Sequence, residues 1–139
     1  ARCLRPGGRL VVSVWGERSA CGWSGVFPIV DARVQSEVCP MFFRLGGGDT
    51  LRSALAGVGL QRVHTERVAT TIGYADATTA CDAAFEGGPV ALAYGRFDAA
   101  TRAAVRAEYL ASLQRWARAD GFALPGAFVL AGGVRVPAA

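Results

Sequence analysis

The sequence predicts an α/β fold, in one domain or part of one over residues 1–139, and three observations carry that prediction. Residues 10–15, Leu10-Val11-Val12-Ser13-Val14-Trp15, form a short, nearly continuous apolar run rich in valine, the pattern of a strand covered on both faces. Leu51, Ala54, Leu55 and Val58 recur at i, i+3, i+4 and i+7, which is one apolar face of a helix. Residues 60–72 return to strand chemistry with Val63, Thr65, Val68, Thr70 and Thr71. Two strands joined through helices in this way are expected to run in the same direction.

The remaining elements follow in order. Arg5-Pro6-Gly7-Gly8 is turn chemistry ahead of the first strand, because proline presets its dihedral and glycine takes a positive one at no steric cost. Gly16 ends that strand. Residues 23–38 carry Val26, Phe27, Ile29, Val30 and Val34 and predict a helix, with Pro28 near its start, where a missing N–H is harmless. Gly46-Gly47-Gly48 leads into the next helix, which Asp49 or Thr50 is placed to cap and Gly57 and Gly59 stop. Residues 76–96 are alanine-rich and helical in pattern, broken at Gly87-Gly88-Pro89. Asp98 caps the longest predicted helix, residues 99–119, whose core stripe is Val105, Tyr109, Leu113 and Trp116 and whose stop is Asp120-Gly121. Leu124-Pro125-Gly126 reads as a turn and residues 128–136 as a final strand, weakened or bulged by Gly132-Gly133.

Composition excludes several classes. At 52% hydrophobic and 19% charged, the chain has the apolar content for a packed core and is not intrinsically disordered. Arg, Ser, Gly or Asp interrupts every apolar stretch short of the roughly 20 residues a bilayer span needs, so no membrane partner is expected. All 15 basic residues are arginine, which excludes Schiff-base chemistry and a lysine-dependent phosphate loop. They are scattered singly from Arg2 to Arg135, so no nucleic-acid partner is expected either. Cys3, Cys21, Cys39 and Cys81 form no C-x-x-C pair and His64 is the only histidine, which argues against a metal site. The first residues lack the apolar region and cleavage site of a signal peptide, so a cytoplasmic location with free thiols is the expectation. Met41 is the only methionine, and the chain is therefore expected to be a piece of a longer protein.

Cys3-Leu4-Arg5-Pro6-Gly7-Gly8-Arg9-Leu10-Val11-Val12-Ser13-Val14-Trp15 closely resembles the leucine, basic residue, proline, glycine, glycine segment and following strand of class I S-adenosylmethionine-dependent methyltransferases. The resemblance continues through Phe43-Arg44-Leu45, the Leu51-Arg52-Ser53-Ala54-Leu55 helix and Gly59-Leu60-Gln61-Arg62-Val63, which look like that family's helix and join before its sixth strand. Leu124-Pro125-Gly126 into Phe128-Val129-Leu130 is similar to the ends of bacterial small-molecule members related to quinone-biosynthesis methyltransferases. The resemblance implies the C-terminal half of a Rossmann-like methyltransferase fold: a three-stranded mixed sheet with covering helices, the last strand antiparallel between the other two. It also implies S-adenosylmethionine as the parent protein's cofactor, although the family's glycine-rich loop and acidic cofactor contacts have no counterpart here and no cofactor-binding residue is assigned. Gly46-Gly47-Gly48 lacks the G-x-G-x-x-G spacing and reads as a plain approach to a helix. Without a partner strand on its other side, the run at residues 10–15 is expected to expose an apolar edge through which the isolated chain self-associates.

In open α/β sheets ligands sit beyond the carboxyl ends of the strands. That rule makes Arg5 to Gly8 structural and brings Trp15 near the ligand end, with a broad apolar face and an indole donor. Trp23, Phe27, Met41, Phe42 and Phe43 fall in the segments that cover the crevice in the resembling family. Trp15, Trp23, Phe27, Phe42 and Phe43 are thus the expected substrate-binding residues. No catalytic side chain is assigned. His64 lies beside Val63 in a strand and alternates to the solvent side, and Cys81-Asp82 has no histidine to complete a nucleophilic site.

The function these readings favour is methyl transfer to a small, aromatic or quinone-like acceptor, with this chain supplying acceptor pocket and lid. Such a displacement needs proximity and a dry site more than a reactive group, which accords with the lack of one. The alternative is a non-catalytic, stand-alone α/β module for binding or dimerisation. Half of a nicotinamide-dependent oxidoreductase is disfavoured, because a tyrosine–lysine pair cannot be built without lysine.

Overall fold

The computed structural model describes residues 3–34 and 38–136. The expectations for residues 35–37 of the first predicted helix and for the Cys39 thiol lie outside the described residues. The elements are β1 (Arg9–Trp15), α1 (Val26–Asp31), α2 (Val38–Phe43), α3 (Thr50–Gly57), β2 (Leu60–Tyr74), α4 (Ala77–Phe85), α5 (Ala91–Tyr94), α6 (Ala99–Leu113), β3 (Ala117–Arg118) and β4 (Gly121–Arg135). The class is α/β. The strand order is β1-β4-β2, so the last strand lies between the first two, which share one direction as expected. Two features of the expected sheet are corrected. Every hydrogen-bonded pair is antiparallel rather than mixed, and a fourth strand, β3, pairs with the start of β4.

The fourth strand comes from residues read as helix. The chain leaves α6 at Leu113, tightens through a 3₁₀ turn at Gln114–Trp116 and reverses at Asp120, so that Ala117 and Arg118 pair with Phe122 and Gly121. Gly121 has φ +124°, and a Cβ there would fall 2.0 Å from the Tyr74 carbonyl oxygen. Ala119 and Asp120 thus form the two-residue turn of a β3–β4 hairpin, and Gly121 is the first residue of β4 rather than a helix stop. Residues 124–126 are likewise strand, not turn. Gly16 donates to the Ala127 carbonyl and Arg135 exchanges hydrogen bonds with Gly7 and Gly8, so the odd residues of β4 point their backbone groups toward β1. Pro125 lies on that same side, beyond the last β1 pair at Phe128, where the absence of an N–H breaks no ladder bond.

Gln61 pairs with Val134 but His64 with Gly132, so Arg62 and Val63 bulge opposite Gly133, with Arg62 at φ +53°. A Cβ on Gly133 would sit 3.2 Å from Leu60 and 3.3 Å from Val63, so glycine makes room for the extra residue. This is the bulge that Gly132-Gly133 suggested.

Alternation along the strands separates two apolar clusters. On one face Leu10, Val12, Val14 and Val63 pack with Val129, Ala131 and Leu60 under Leu51 and Leu55 of α3. Ala54 and Val58, expected on the same helical face, are exposed because the helix ends at Gly57 and covers the sheet with only two leucines. Asp49 occupies the N-cap position of α3 without a side-chain capping bond. The opposite face, at the Trp15 end, is covered by α1, α4 and α6 around fully buried Phe27, Phe85, Val105, Tyr109, Leu113 and Leu124. Each such side chain contributes about 1.5–3 kcal/mol on leaving water. The predicted cap of α6 is present: the Asp98 carboxylate accepts from the Thr101 amide at 2.7 Å, which holds its pKa below the usual carboxylate value. Asp76 caps α4 in the same way.

The other end of that second face has no covering helix among the described residues. There Arg9, Val11, His64, Glu66, Leu130 and Gly132 line a shallow groove of about 430 Å³, and Val11 is 76% exposed beside the unpaired outer edge of β1. Light scattering of the isolated chain is expected to show self-association that Val11→Lys relieves with little change in Tm. Val12→Lys, which pushes a charge against the α3 cluster, is expected to cost about 1–3 kcal/mol. A wild-type chain that is monodisperse and melts as a monomer would overturn this.

Candidate functional site

The two codirectional strands end at different levels: Trp15 pairs with Phe128, opposite Val68, and β2 continues to Tyr74. Trp15 closes β1, Ile72 and Tyr74 close β2, and beyond them lies a pocket of about 350 Å³. Its walls are Trp15, Trp23, Phe42, Ile72, Tyr74 and Tyr109, and its rim is the Gly87-Gly88-Pro89 loop with Ala83 and Ala84 of α4. Volume and composition match sites for small, largely apolar molecules.

Each wall is fixed by a local requirement of the backbone. Trp15 is followed by Gly16, whose amide donates to Ala127 at 2.7 Å and where a Cβ would come within 2.8 Å of the Ala127 side chain. Gly46 packs on the same spot, with a Cβ position only 2.3 Å from the Gly16 carbonyl oxygen. Trp23 is presented by a 3₁₀ turn at Gly22–Gly25, and Gly22 leaves space for Pro125 and Trp116, which a Cβ would meet at 2.9 and 3.0 Å. Tyr109 stands mid-way along α6, which Arg106 ties to Asp82 of α4 at 2.6 Å and an Arg33–Glu108 pair ties to the segment after α1. The rim turns back tightly on α4, since a Cβ at Gly88 would lie 2.3 Å from the Ala84 carbonyl oxygen.

The five residues expected to bind substrate form one aromatic cluster, but they do not all reach the pocket. Trp15, Trp23 and Phe42 line it. Phe27, fully buried, and Phe43 stand behind Trp23 at ring distances of 5.7 and 5.5 Å and pack rather than line. Trp15 stacks on Phe128 at 4.3 Å and lies 4.9 Å from Trp23, while Phe42 meets Trp23 edge-on at 5.5 Å. Such contacts, worth about 0.5–1.5 kcal/mol each, hold the wall rigid. Met41 is 64% exposed and lies outside the site. The sequence reading missed Ile72 and Tyr74, which belong to the carboxyl end of a strand longer than predicted. Tyr109 sits on the predicted core stripe and lines the pocket as well; helical periodicity reports its burial and is silent about its hydroxyl.

Two wall residues carry buried polar atoms with no hydrogen-bond partner among the described residues. These are the indole nitrogen of Trp23 and the hydroxyl of Tyr109. Burial pushes the Tyr109 phenol above the ordinary tyrosine value, with the neighbouring Tyr74 phenol acting in the same direction, and burial raises Tyr74 itself. The pocket is lined by apolar and aromatic side chains and by no charged group.

The Gly46-Gly47-Gly48 loop is used internally. Arg67 of β2 donates to the carbonyls of Gly46 and Gly48 at 2.9 and 2.6 Å, and Gly46 lies against the end of β1. Gly48 and Arg67 also border an open pocket of about 470 Å³ with Glu17, Ala20 and Phe128, and no G-x-G-x-x-G loop lines it. Among the described residues no cluster of three His, Cys, Asp or Glu side chains converges, and His64 is exposed on the far part of the sheet. No known family model matches the chain, and no curated protein matches it.

Because the Tyr109 and Tyr74 phenols have raised pKa values in the folded state, their contribution to stability is complete below the unfolded tyrosine value of about 10 and is lost as pH rises past it. Thermal melts are expected to fall steeply above that pH in the wild type and less steeply in Tyr109→Phe. An unchanged alkaline limb in the variant would show that Tyr109 is not held neutral by burial.

Proposed function

We propose that this chain is the acceptor-binding portion of a class I, Rossmann-like S-adenosylmethionine-dependent methyltransferase acting in the cytoplasm on a small, aromatic or quinone-like molecule. The observation that carries the reading is the pocket's position. It lies past the carboxyl end of β1 and against the last residues of the codirectional β2, with an antiparallel strand between them, and carboxyl strand ends are where open α/β sheets take ligands. The Arg5-Pro6-Gly7-Gly8 turn stands at the opposite end of β1, where it sets the strand and stays clear of ligand.

What the chain's own residues do in this reading is positional. Trp15, Trp23 and Phe42 present flat apolar faces that orient an aromatic acceptor, and the Gly87-Gly88-Pro89 rim forms the lid side. A dry, close-fitting site supplies proximity and orientation, the main requirements of an in-line displacement. The cofactor is assigned to a part of the parent protein outside these residues, since the G-x-G-x-x-G spacing of a cofactor loop does not occur in them. The alternative, a stand-alone binding or dimerisation module, is favoured by one observation: Val11 is 76% exposed beside the open edge of β1, a surface that a second copy can cover.

Titration calorimetry separates the two. The 139-residue chain is expected to show no measurable affinity for S-adenosylmethionine. The product of the full open reading frame encoding it is expected to bind the cofactor and to transfer a labelled methyl group to a member of a phenol and hydroxyquinone panel. Micromolar cofactor binding by the chain alone would overturn the placement of the cofactor site. A full product that binds no cofactor would overturn the methyltransferase reading and favour the binding module.

A further inference from the structure

The sheet has two outer edges, and they differ. Along β2 the edge is interrupted: Arg62 and Val63 bulge, Arg52 of α3 donates to the Val63 carbonyl at 2.9 Å, and Arg62, His64, Glu66 and Arg67 are all exposed. Bulges and charges of this kind keep other strands off an edge. β1 carries no charge, proline or bulge from Leu10 to Trp15. Its even residues face β4: the Arg135 amide donates to the Gly8 carbonyl, the Gly16 amide donates to the Ala127 carbonyl, and Leu10, Val12 and Val14 fall between them in step. The backbone N–H and C=O groups of Arg9, Val11 and Ser13 therefore point outward, where no strand pairs with them among the described residues. This free stretch is bounded at both ends. The Gly7 amide is already bonded to Arg135, and Gly46 covers the Trp15 carbonyl, a Cβ on Gly46 falling only 2.4 Å from that oxygen.

We propose that residues 9–13 are the contact of an isologous dimer, in which β1 pairs antiparallel with β1 of a second copy across a two-fold axis at Val11. The register follows from the bounds. Outward-facing residues must lie opposite outward-facing residues, and only the arrangement with Val11 against the partner's Val11 also gives Arg9 a free match, the partner's Ser13. Moving the axis by one residue sets Arg9 against the partner's Trp15, or Ser13 against the partner's Gly7, and neither of those is free. The side chains agree with the backbone. Val11, 76% exposed, meets its own copy on the uncovered face, and Leu10 comes beside the partner's Val12 on the α3 face, which extends one apolar cluster into the next. Pairing β1 with β1 uses the free edge of both copies, so assembly closes at two. The proposal does not rest on the methyltransferase reading.

Light scattering and NMR-detected amide exchange test it on the 139-residue chain. Raising the concentration from about 10 μM to about 1 mM, the range in which so short an interface assembles, is expected to double the mass and to slow exchange several-fold at Arg9, Val11 and Ser13. Leu10, Val12 and Val14, bonded to β4 throughout, are expected to stay protected at every concentration. A mixed-label sample is expected to show an intermolecular contact between the α-protons of Leu10 and the partner's Val12. Val11→Pro is expected to remain monomeric with a Tm near the wild type, since the N–H it removes faces outward and its ring keeps the uncovered face apolar. Val12→Pro takes an N–H from the β4 ladder and is expected to melt well below it. A chain that stays monomeric at about 1 mM, grows beyond two copies, or still dimerises in Val11→Pro would overturn the proposal. If the chain is monomeric and the full open reading frame product transfers methyl groups, the dimer falls and the methyltransferase reading stands. A dimeric chain whose full product binds no cofactor means the reverse.

Discussion

The structure depends on one strand serving two neighbours at once. β4 is hydrogen-bonded to β2 along nearly its whole length and to β1 along its second half, and it carries side chains into both apolar clusters. Its sequence reflects that position: Gly126, Ala127, Ala131 and Gly133 are small where neighbouring elements come close, and Leu124 and Val129 are large where a cluster needs filling. A Cβ on Gly126 would press on the Ile72 and Thr70 side chains at 3.1 Å, so their close packing over β4 depends on its absence. The last segment of the chain must therefore dock before either earlier strand has a partner. Folding in that order joins the most distant parts of the sequence, which makes contact formation slow relative to a helical protein of this size.

The same arrangement makes the pocket. Because β1 stops at Trp15 while β2 and β4 continue, the sheet has a step, and the helical layer roofs the step rather than the whole face. Aromatic residues from a 3₁₀ turn, a short helix and a long helix meet there, each held by a glycine contact or an ion pair outside the cavity. The walls of the site are thus strand ends and packed rings, with the Gly87-Gly88-Pro89 loop at the rim, and such rigid walls hold a ligand in one orientation.

Much of this was legible in the residues. β1, β2, the α3 face and the Asp98 cap follow from periodicity and capping chemistry, and the central antiparallel place of the last strand follows from the resemblance. Three features were hidden, each for a stated physical reason. Leu124-Pro125-Gly126 has turn composition, yet Pro125 is tolerated because its nitrogen faces a side with no ladder. Asp120-Gly121 ends a helix in local terms, but Asp120 sits in the turn of the β3–β4 hairpin and Gly121 opens β4 where it passes close to the Tyr74 carbonyl. Of the predicted aromatic site residues, Phe27 and Phe43 could not be told from Trp23 and Phe42 by type or spacing, since lining and backing positions differ only in where the step of the sheet falls. The unsatisfied atoms of Trp23 and Tyr109 leave no trace in the sequence at all, because pairing is a property of the assembled core.

In the proposed function this chain supplies the acceptor end of a methyltransferase, with Trp15, Trp23 and Phe42 around the acceptor. A crystal structure of the full open reading frame product with S-adenosylhomocysteine and an aromatic acceptor tests it most directly. The account predicts the acceptor between Trp15, Trp23 and Phe42, with the cofactor's sulfur facing the mouth of that pocket at the carboxyl end of β1. Cofactor bound over the Arg9 and His64 end of the sheet, or an acceptor held anywhere else, would contradict it.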